Sequence, residues 1–363
     1  MSNTFLYVKI IYAKSHNYIL RVLMKGIKII KENANDVRKL LITNNQLNVE
    51  SKVDKDENNV YFPLIDNYDE NILNKIKEKY PLSVIDYDFP ETKHRVKNFM
   101  EYLDNRIPED KVEEIKKSFD VIGDIVILEI PPELEDEKYI IGDAVLKFTK
   151  RRSVYYKKSK VHGVRRTRDL EYIAGVDNLE TIHKEYGLRF KLNPSTVYFS
   201  PRLATERSRI VSQVKENEII IDFFAGIGSF PISIAHKKFA KIYSVDINPE
   251  AYKYVNENIR MNKLIGEVIP IEGDIREVIK NLPKADRIIM NLPGTAKDFL
   301  PLAVNHLNKG GILNYYEFAS DEDVVIKHVK EAANPRKTEV LDIRKVKSQS
   351  PKVWHIGLDI KIN

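Results

Sequence analysis

The chain has 363 residues, of which 43% are hydrophobic and 31% charged, with a formal net charge of +6. That is apolar enough for buried cores and long enough for two or three domains of roughly 100–200 residues each, so disorder is not expected. There is no cysteine, which excludes disulfides, thiolate metal sites and a cysteine nucleophile and fits a reducing cytoplasm. No apolar run approaches the ~18 residues of a membrane span, and Lys9, Lys14, His16 and Arg21 break up the apolar start, so neither an anchor nor a signal peptide is read.

Residues 1–23 read as an extension of uncertain structure, with Met24 a possible alternative start. A small α/β unit is expected over 24–88. "MKGIKIIKENANDVRKLLITNNQL" gives a strand and then a helix with Val37, Leu40 and Leu41 on one face, and "NNVYFPLID" gives a further strand. Pro90 within "DFPETKHR" marks a linker near 88–95. A second unit, 89–196, is expected to hold the helices "VKNFMEYLDN" and "DKVEEIKKSF", a strand pair "FDVIGDIVILEI" interrupted at Gly123, and one strand in "TIHKEYGLRFKLN".

From 197 to 363 strands alternate with helices. The strands are "EIIIDFFAG", "AKIYSVDIN", "EVIPIEGD", "ADRIIMNLPG" and "GGILNYYEF", with helices between them, and "EVLDIRKVKSQSPKVWHIGLDIKI" reads as two strands joined by a Ser/Pro turn. Strands separated by helices predict parallel pairing through right-handed crossovers, and the last hairpin predicts an antiparallel edge.

The positive charge is concentrated. Residues 150–168 carry nine Lys or Arg and no acidic residue. Lys150, Arg151, Arg152, Lys157, Lys158, Arg165 and Arg168 are candidate phosphate contacts, and Tyr155 and Tyr156 inside so dense a run favour phosphate-backbone binding. The alternative is a solvated basic face.

The segment "DFFAGIGSF" lies between the first strand and first helix of the parallel region. Ligands of doubly wound sheets bind there, and Gly226 and Gly228 allow close backbone approach. Asp246 ends the second strand, placed to accept from ribose hydroxyls; Asp274 ends the third, placed for an adenine amino group; Asn291 ends the fourth. Singly, each also reads as a turn or helix-cap residue. A third glycine for pyrophosphate is missing.

The loop Asp222-Phe-Phe-Ala-Gly226-Ile-Gly228 resembles that of class I S-adenosylmethionine-dependent methyltransferases. "NLP" at 291–293, together with "VIGDIVIL", "RTRDLEYIAG", "TIHKEYGLRF" and "VYFSPRLATERSRI", resembles the archaeal and eukaryotic tRNA guanosine-37 N1-methyltransferases over most of the chain. The resemblance implies an α/β fold: a Rossmann-like domain with a mostly parallel seven-stranded sheet and an antiparallel terminal hairpin, preceded by two smaller domains. It implies S-adenosylmethionine as cofactor, no metal, and tRNA as partner, gripped at anticodon loop and elbow. A monomer in the cytoplasm is expected.

Residue by residue, the resemblance makes Glu206 the general base, Arg166 the cation that stabilises the guanine oxygen, and Asn291 the holder of the target base. Arg207, Asp246, Ile247, Asp274 and Ile275 match cofactor contacts, joined by Asp222, Gly226, Gly228 and Asn291. Tyr198, Arg202 and Pro293 match the substrate side. These roles are chemically coherent, because guanine N1 must lose its proton while charge moves to O6. Two alternatives stand beside this reading: C7-methylation of 4-demethylwyosine at the same tRNA position, alone or as a second activity, and a non-catalytic tRNA-binding protein on the same fold.

Overall fold

The computed structural model describes residues 8–10, 20–90, 96–103, 106–108, 115, 118–159, 163 and 165–363. The chain divides into two units, residues 1–96 and 97–363.

In the first unit β1 (Val8–Ile10) pairs antiparallel with β2 (Leu20–Val22). The rest follows as β3 (Met24–Ile30), α1 (Ala34–Thr43), β4 (Asp54–Lys55), β5 (Asn59–Pro63), α2 (Glu70–Lys79) and β6 (Leu82–Tyr87). The sheet order is β4-β5-β3-β6, with β3 antiparallel to both neighbours. Ile27, Ile29 and Phe62 of the sheet pack with Val37 and Leu41 of α1 and Leu73 and Ile76 of α2. The polar sequence of α2 hid it from the pattern reading; its start is set by Asp69, whose carboxylate accepts from the Asn71 and Ile72 N–H groups.

The second unit opens on a mixed sheet of β7 (Phe119–Ile122), β8 (Ile125–Leu128), β9 (Ser153–Lys157) and β10 (Leu170–Gly175), in the order β10-β9-β8-β7. Gly123, at φ +59, makes the tight β7–β8 turn. β8 and β9 are parallel, so a crossover is needed, and α3 (Lys138–Thr149) provides it. The expected helix over "VKNFMEYLDN" is a single 3₁₀ turn, Phe99–Tyr102, and most of "DKVEEIKKSF" lies outside the described residues. Tyr155 and Tyr156 are 1% and 9% exposed in β9. They are core residues, so the aromatics inside the basic run do not face a nucleic acid.

"TIHKEYGLRFKL" is a hairpin, not one strand. β11 (Thr181–Glu185) and β12 (Leu188–Leu192) are joined by Tyr186 and Gly187, at φ 46 and 84, the two positive φ values that a two-residue hairpin turn requires.

The large sheet follows: α4 (Ala204–Gln213), β13 (Ile219–Asp222), α5 (Ser229–Lys237), β14 (Lys241–Asp246), α6 (Pro249–Met261), β15 (Glu267–Glu272), α7 (Ile275–Val278), β16 (Ala285–Met290), α8 (Leu300–His306), β17 (Leu307–Ala319), α9 (Glu322–Ala333), β18 (Thr338–Ser350) and β19 (Val353–Ile362). Seven strands run in the order β15-β14-β13-β16-β17-β19-β18. β13 to β17 are parallel, and β19 is antiparallel to both β17 and β18. The order reverses beside β13, so a ligand crevice is expected at the ends of β13, β14 and β16. Asn258 and Asn262 of α6 bond the backbones of Lys191 and Arg189 in β12, and one core joins Ile122, Tyr155, Phe190, Phe199, Ile227 and Tyr254. Packing is therefore continuous through residue 196, where the sequence suggested a domain boundary.

Within β16 Arg287 is fully buried, paired with Glu218 and bonded to Asn314 Oδ1 at 3.0 Å. Arg287→Leu is expected to lower unfolding free energy by about 3–5 kcal/mol, since Glu218 would keep an uncompensated buried charge. Urea titration of both proteins measures the difference.

Candidate active site

The loop after β13 is built for close approach. Gly226 and Gly228 sit at φ +54 and +78, and a Cβ at Gly226 would come within 3.2 Å of the Tyr198 carbonyl oxygen. Asp246, at the end of β14, accepts from Gly226 N–H at 2.7 Å and Asn248 N–H at 2.9 Å, tying two strand ends together. Burial raises the Asp246 carboxyl above its usual range. Ile247 beside it is 39% exposed, an open apolar surface at the crevice.

Asp222 is fully buried at the end of β13. Its Oδ1 accepts from Phe224 N–H, while Oδ2 has no partner among the described residues. Burial pushes its pKa up to about 8. Such an orphaned acceptor is costly unless a ligand donor reaches it.

A second segment crosses the same loop. The Asn248 side chain donates to the Thr196 carbonyl at 2.7 Å and the Arg165 carbonyl at 3.4 Å. Arg166 follows at φ 55, a left-handed conformation uncommon for a side-chain-bearing residue. Its guanidinium lies 4.3 Å from the centre of the Tyr198 ring, its buried Nε has no partner among the described residues, and Asp246 is in electrostatic reach. Arg166, Tyr198, Asp246 and the glycine loop are thus brought together. Asn291, half-buried at the end of β16, makes no side-chain hydrogen bond among the described residues. The Pro293 carbonyl accepts from Phe318 N–H at 3.1 Å, which fixes the loop after β16 to β17.

Glu206 is 6% exposed on α4. Its carboxylate accepts from Tyr316 Oη at 2.6 Å, from Arg209 at 2.7 and 3.0 Å, and from Arg344. Burial raises its pKa, against the lowering by Tyr316 and Arg209. Tyr316 and Arg344 went unrecognised in sequence because nothing in "NYYEF" or "DIRK" marks a partner for a residue over a hundred positions away.

His355 was also missed. It is 1% exposed on β19, with neither ring nitrogen partnered among the described residues. Its ring centre lies 5.4 Å from that of Tyr316 and 5.5 Å from that of Phe318. The only available signal was a polar residue inside the apolar run "VWHIGLDI", which Asp359 shares.

Several expected contacts are already engaged within the protein, and those of Arg207, Ile275, Arg152 and Arg168 are corrected. Arg207 pairs in two-pronged fashion with buried Glu185 and bonds the Ser200 carbonyl, so it braces the 198–200 segment and has little left for a cofactor. Ile275 is core. Asp274 caps α7 through Arg276 N–H and pairs with the exposed Arg276 side chain, as its cap reading allowed. Arg152 is spent on Asp124 and the Asn178 and Glu180 carbonyls, and Arg168 is buried and donates to the Phe199 carbonyl; neither presents to a phosphate. Lys157 pairs with Glu129, Lys158 with Glu171, and Arg202 with Asp120 at 2.6 Å. Lys150, Arg151 and Arg165 are exposed.

The orphaned Asp222 oxygen has a pH signature. Its folded pKa lies above the unfolded value of 3.8, so the folded state holds a proton that the unfolded state releases, and stability falls as pH rises from about 4 to 8. Asp222→Asn is expected to melt higher than the parent at pH 8–9 in ligand-free protein, with the gap closing towards pH 4. Paired thermal melts across that range measure it.

The TRM5/TYW2 methyltransferase domain family matches residues 181–341, the TYW2 N-terminal domain residues 99–178, and the tRNA methyltransferase 5 N-terminal domain residues 26–72. The tRNA (guanine(37)-N(1))-methyltransferase Trm5b of Methanocaldococcus jannaschii is 39% identical over 340 residues, covering 93% of this chain and 98% of its own length. The structure of a complex of aTrm5 and tRNALeu superposes with a TM-score of 0.78 at 37% identity, over 93% of this chain and 99% of that one. Methanocaldococcus jannaschii TYW2 in complex with AdoMet superposes at 0.53 with 31% identity, over 68% and 99%. With this overlap along nearly the whole length, the chain belongs to the TRM5/TYW2 family of methyltransferases, on its Trm5 branch.

Proposed function

We propose that this chain transfers a methyl group from S-adenosylmethionine to N1 of guanosine 37 in tRNA. The observation that carries the reading is the meeting of Arg166 and Tyr198 with the glycine loop and Asp246, in a chain 39% identical to a Trm5b over almost its full length.

The donor, when bound, supplies a methyl group on a cationic sulfur that is already activated for displacement. The protein's residues fit it. The unpartnered Asp222 Oδ2 suits an ammonium group, Asp246 keeps acceptor capacity for ribose hydroxyls, exposed Ile247 offers a flat apolar contact, and Gly226 and Gly228 leave room for the chain of the ligand. Asp274 can reach an adenine amino group once exposed Arg276 swings away.

Transfer requires loss of the guanine N1 proton. Glu206 is the group to take it, and the burial that raises its pKa makes it a better acceptor than a surface carboxylate. Tyr316, Arg209 and Arg344 hold the carboxylate meanwhile and yield when the base docks. Arg166, with a buried donor still unused, stabilises charge moving onto O6. Asn291, with its amide unengaged among the described residues, and Pro293 hold the base in line. Alignment supplies much of the remaining acceleration.

Position 37 lies in a loop, so extruding its base costs less than opening a duplex. Exposed Lys150, Arg151 and Arg165, together with Lys157, Lys158 and Arg202 in surface ion pairs, suit the anticodon-stem phosphates. Residues 24–88 check tRNA shape at the elbow. The protein acts as a monomer in the cytoplasm; among the described residues no helix is long and apolar enough to cross a membrane.

Mass spectrometry of nucleosides from unmodified tRNA treated with protein and donor tests the function, and 1-methylguanosine is the expected product. Methylation only of tRNA bearing 4-demethylwyosine would favour the C7 activity, and no methylation of either would favour a binding protein. Glu206→Gln is expected to slow transfer by about 10²-fold or more with donor affinity unchanged by calorimetry. Arg166→Ala is expected to lower turnover at saturating tRNA by about 10²-fold; a loss confined to tRNA affinity would make it a phosphate contact instead.

A further inference from the structure

His355 is 1% exposed, and neither of its ring nitrogens has a hydrogen-bond partner among the described residues. It sits opposite Phe318 in the β17–β19 register, and Phe318 donates its N–H to the Pro293 carbonyl of the loop after β16. On its other side is Tyr316, whose hydroxyl binds Glu206. Arg166 lies within electrostatic reach. The imidazole therefore lies beside Tyr316, which holds Glu206, and beside Phe318, which anchors the loop that carries Asn291. Burial, then the charges of Lys347 and Arg166, keep it neutral down to about pH 3. A neutral ring offers one donor and one acceptor.

A buried polar group with no partner is expensive and rare, and it calls for an explanation. Packing supplies none here, because Phe or Leu would fill the same space without two unsatisfied nitrogens. We infer that His355 is a substrate contact of the methyl transfer, its imidazole hydrogen-bonding the polar edge of the purine extruded into the pocket. This deepens the function proposed above and rests on it. Docking satisfies nitrogens left bare in the ligand-free chain, so part of the binding free energy is stored at this position.

The test is His355→Phe beside His355→Gln, with thermal melts, donor calorimetry and steady-state methylation of tRNA transcripts. For the Phe variant the expectation is a melting midpoint at or above the parent's, unchanged donor affinity, and kcat/KM for tRNA lowered by about tenfold, the worth of one hydrogen bond. Gln, which keeps a donor and an acceptor, is expected to recover most of that loss. Should Phe overpack, Leu is read in the same way. A Phe or Leu variant with parental kcat/KM overturns the inference. So does a Gln variant that melts like the parent yet is as slow as Phe. If the parent itself forms no 1-methylguanosine, the proposed function fails instead, and the two failures are distinct.

Discussion

One buried asparagine joins the two halves of the site. Asn248 is 3% exposed and uses its whole side chain: Oδ1 caps α6 through Glu250 N–H, and Nδ2 reaches the carbonyls of Thr196 and Arg165. Its own N–H goes to Asp246, which in turn holds Gly226. The glycine loop, the carboxylate suited to ribose and the segment bearing Arg166 are thereby fixed to one another by two short, buried side chains, Asn248 and Asp246, each bonded to backbone groups. Without that clasp Arg166 would have no reason to keep a left-handed backbone over Tyr198.

Polar groups buried around the sheet follow a consistent division. Arg287 with Glu218, Arg207 with Glu185, and Arg209 with Arg344, Glu206 and Asp359 are mutually satisfied. Removing one member would leave a stranded charge, so these networks fix geometry more than they add stability. Asp222, Arg166 and His355 differ, since each keeps a buried atom with no partner among the described residues. All three lie along the end of the sheet where the strand order reverses. Unpartnered polar atoms at this end of the sheet suit a site that binds a polar ligand.

Much of this was legible in the chain. Apolar strands ending in Asp222, Asp246 and Asn291, with helices between them, leave few topologies open, and the seven-stranded sheet with its terminal hairpin followed. The glycine pair was legible because only a close approach justifies positive φ at both positions. The basic run was legible as charge but not as geometry. Tyr155 and Tyr156 are buried because β9 is a central strand of its sheet, while Arg152 is held by Asp124 and Arg168 is buried near the Phe199 carbonyl; these partners are distant in sequence. The helix α2 was missed because its composition is polar overall, although Ile72, Leu73 and Ile76 form an apolar face that packs into the core.

By itself the sequence determined the order of strands and helices, the residues that end each parallel strand, and the resemblance that names a chemistry, because these depend on local spacing and on the hydrophobic period. Only the tertiary structure decided which charges are spent. It gave Arg207 to Glu185, Arg152 to Asp124 and Glu206 to Tyr316, Arg209 and Arg344, and it left Asp222, Arg166 and His355 wanting. Whether a buried polar atom is satisfied depends on chain segments that folding brings within 3 Å of it, and no spacing along the sequence encodes that distance.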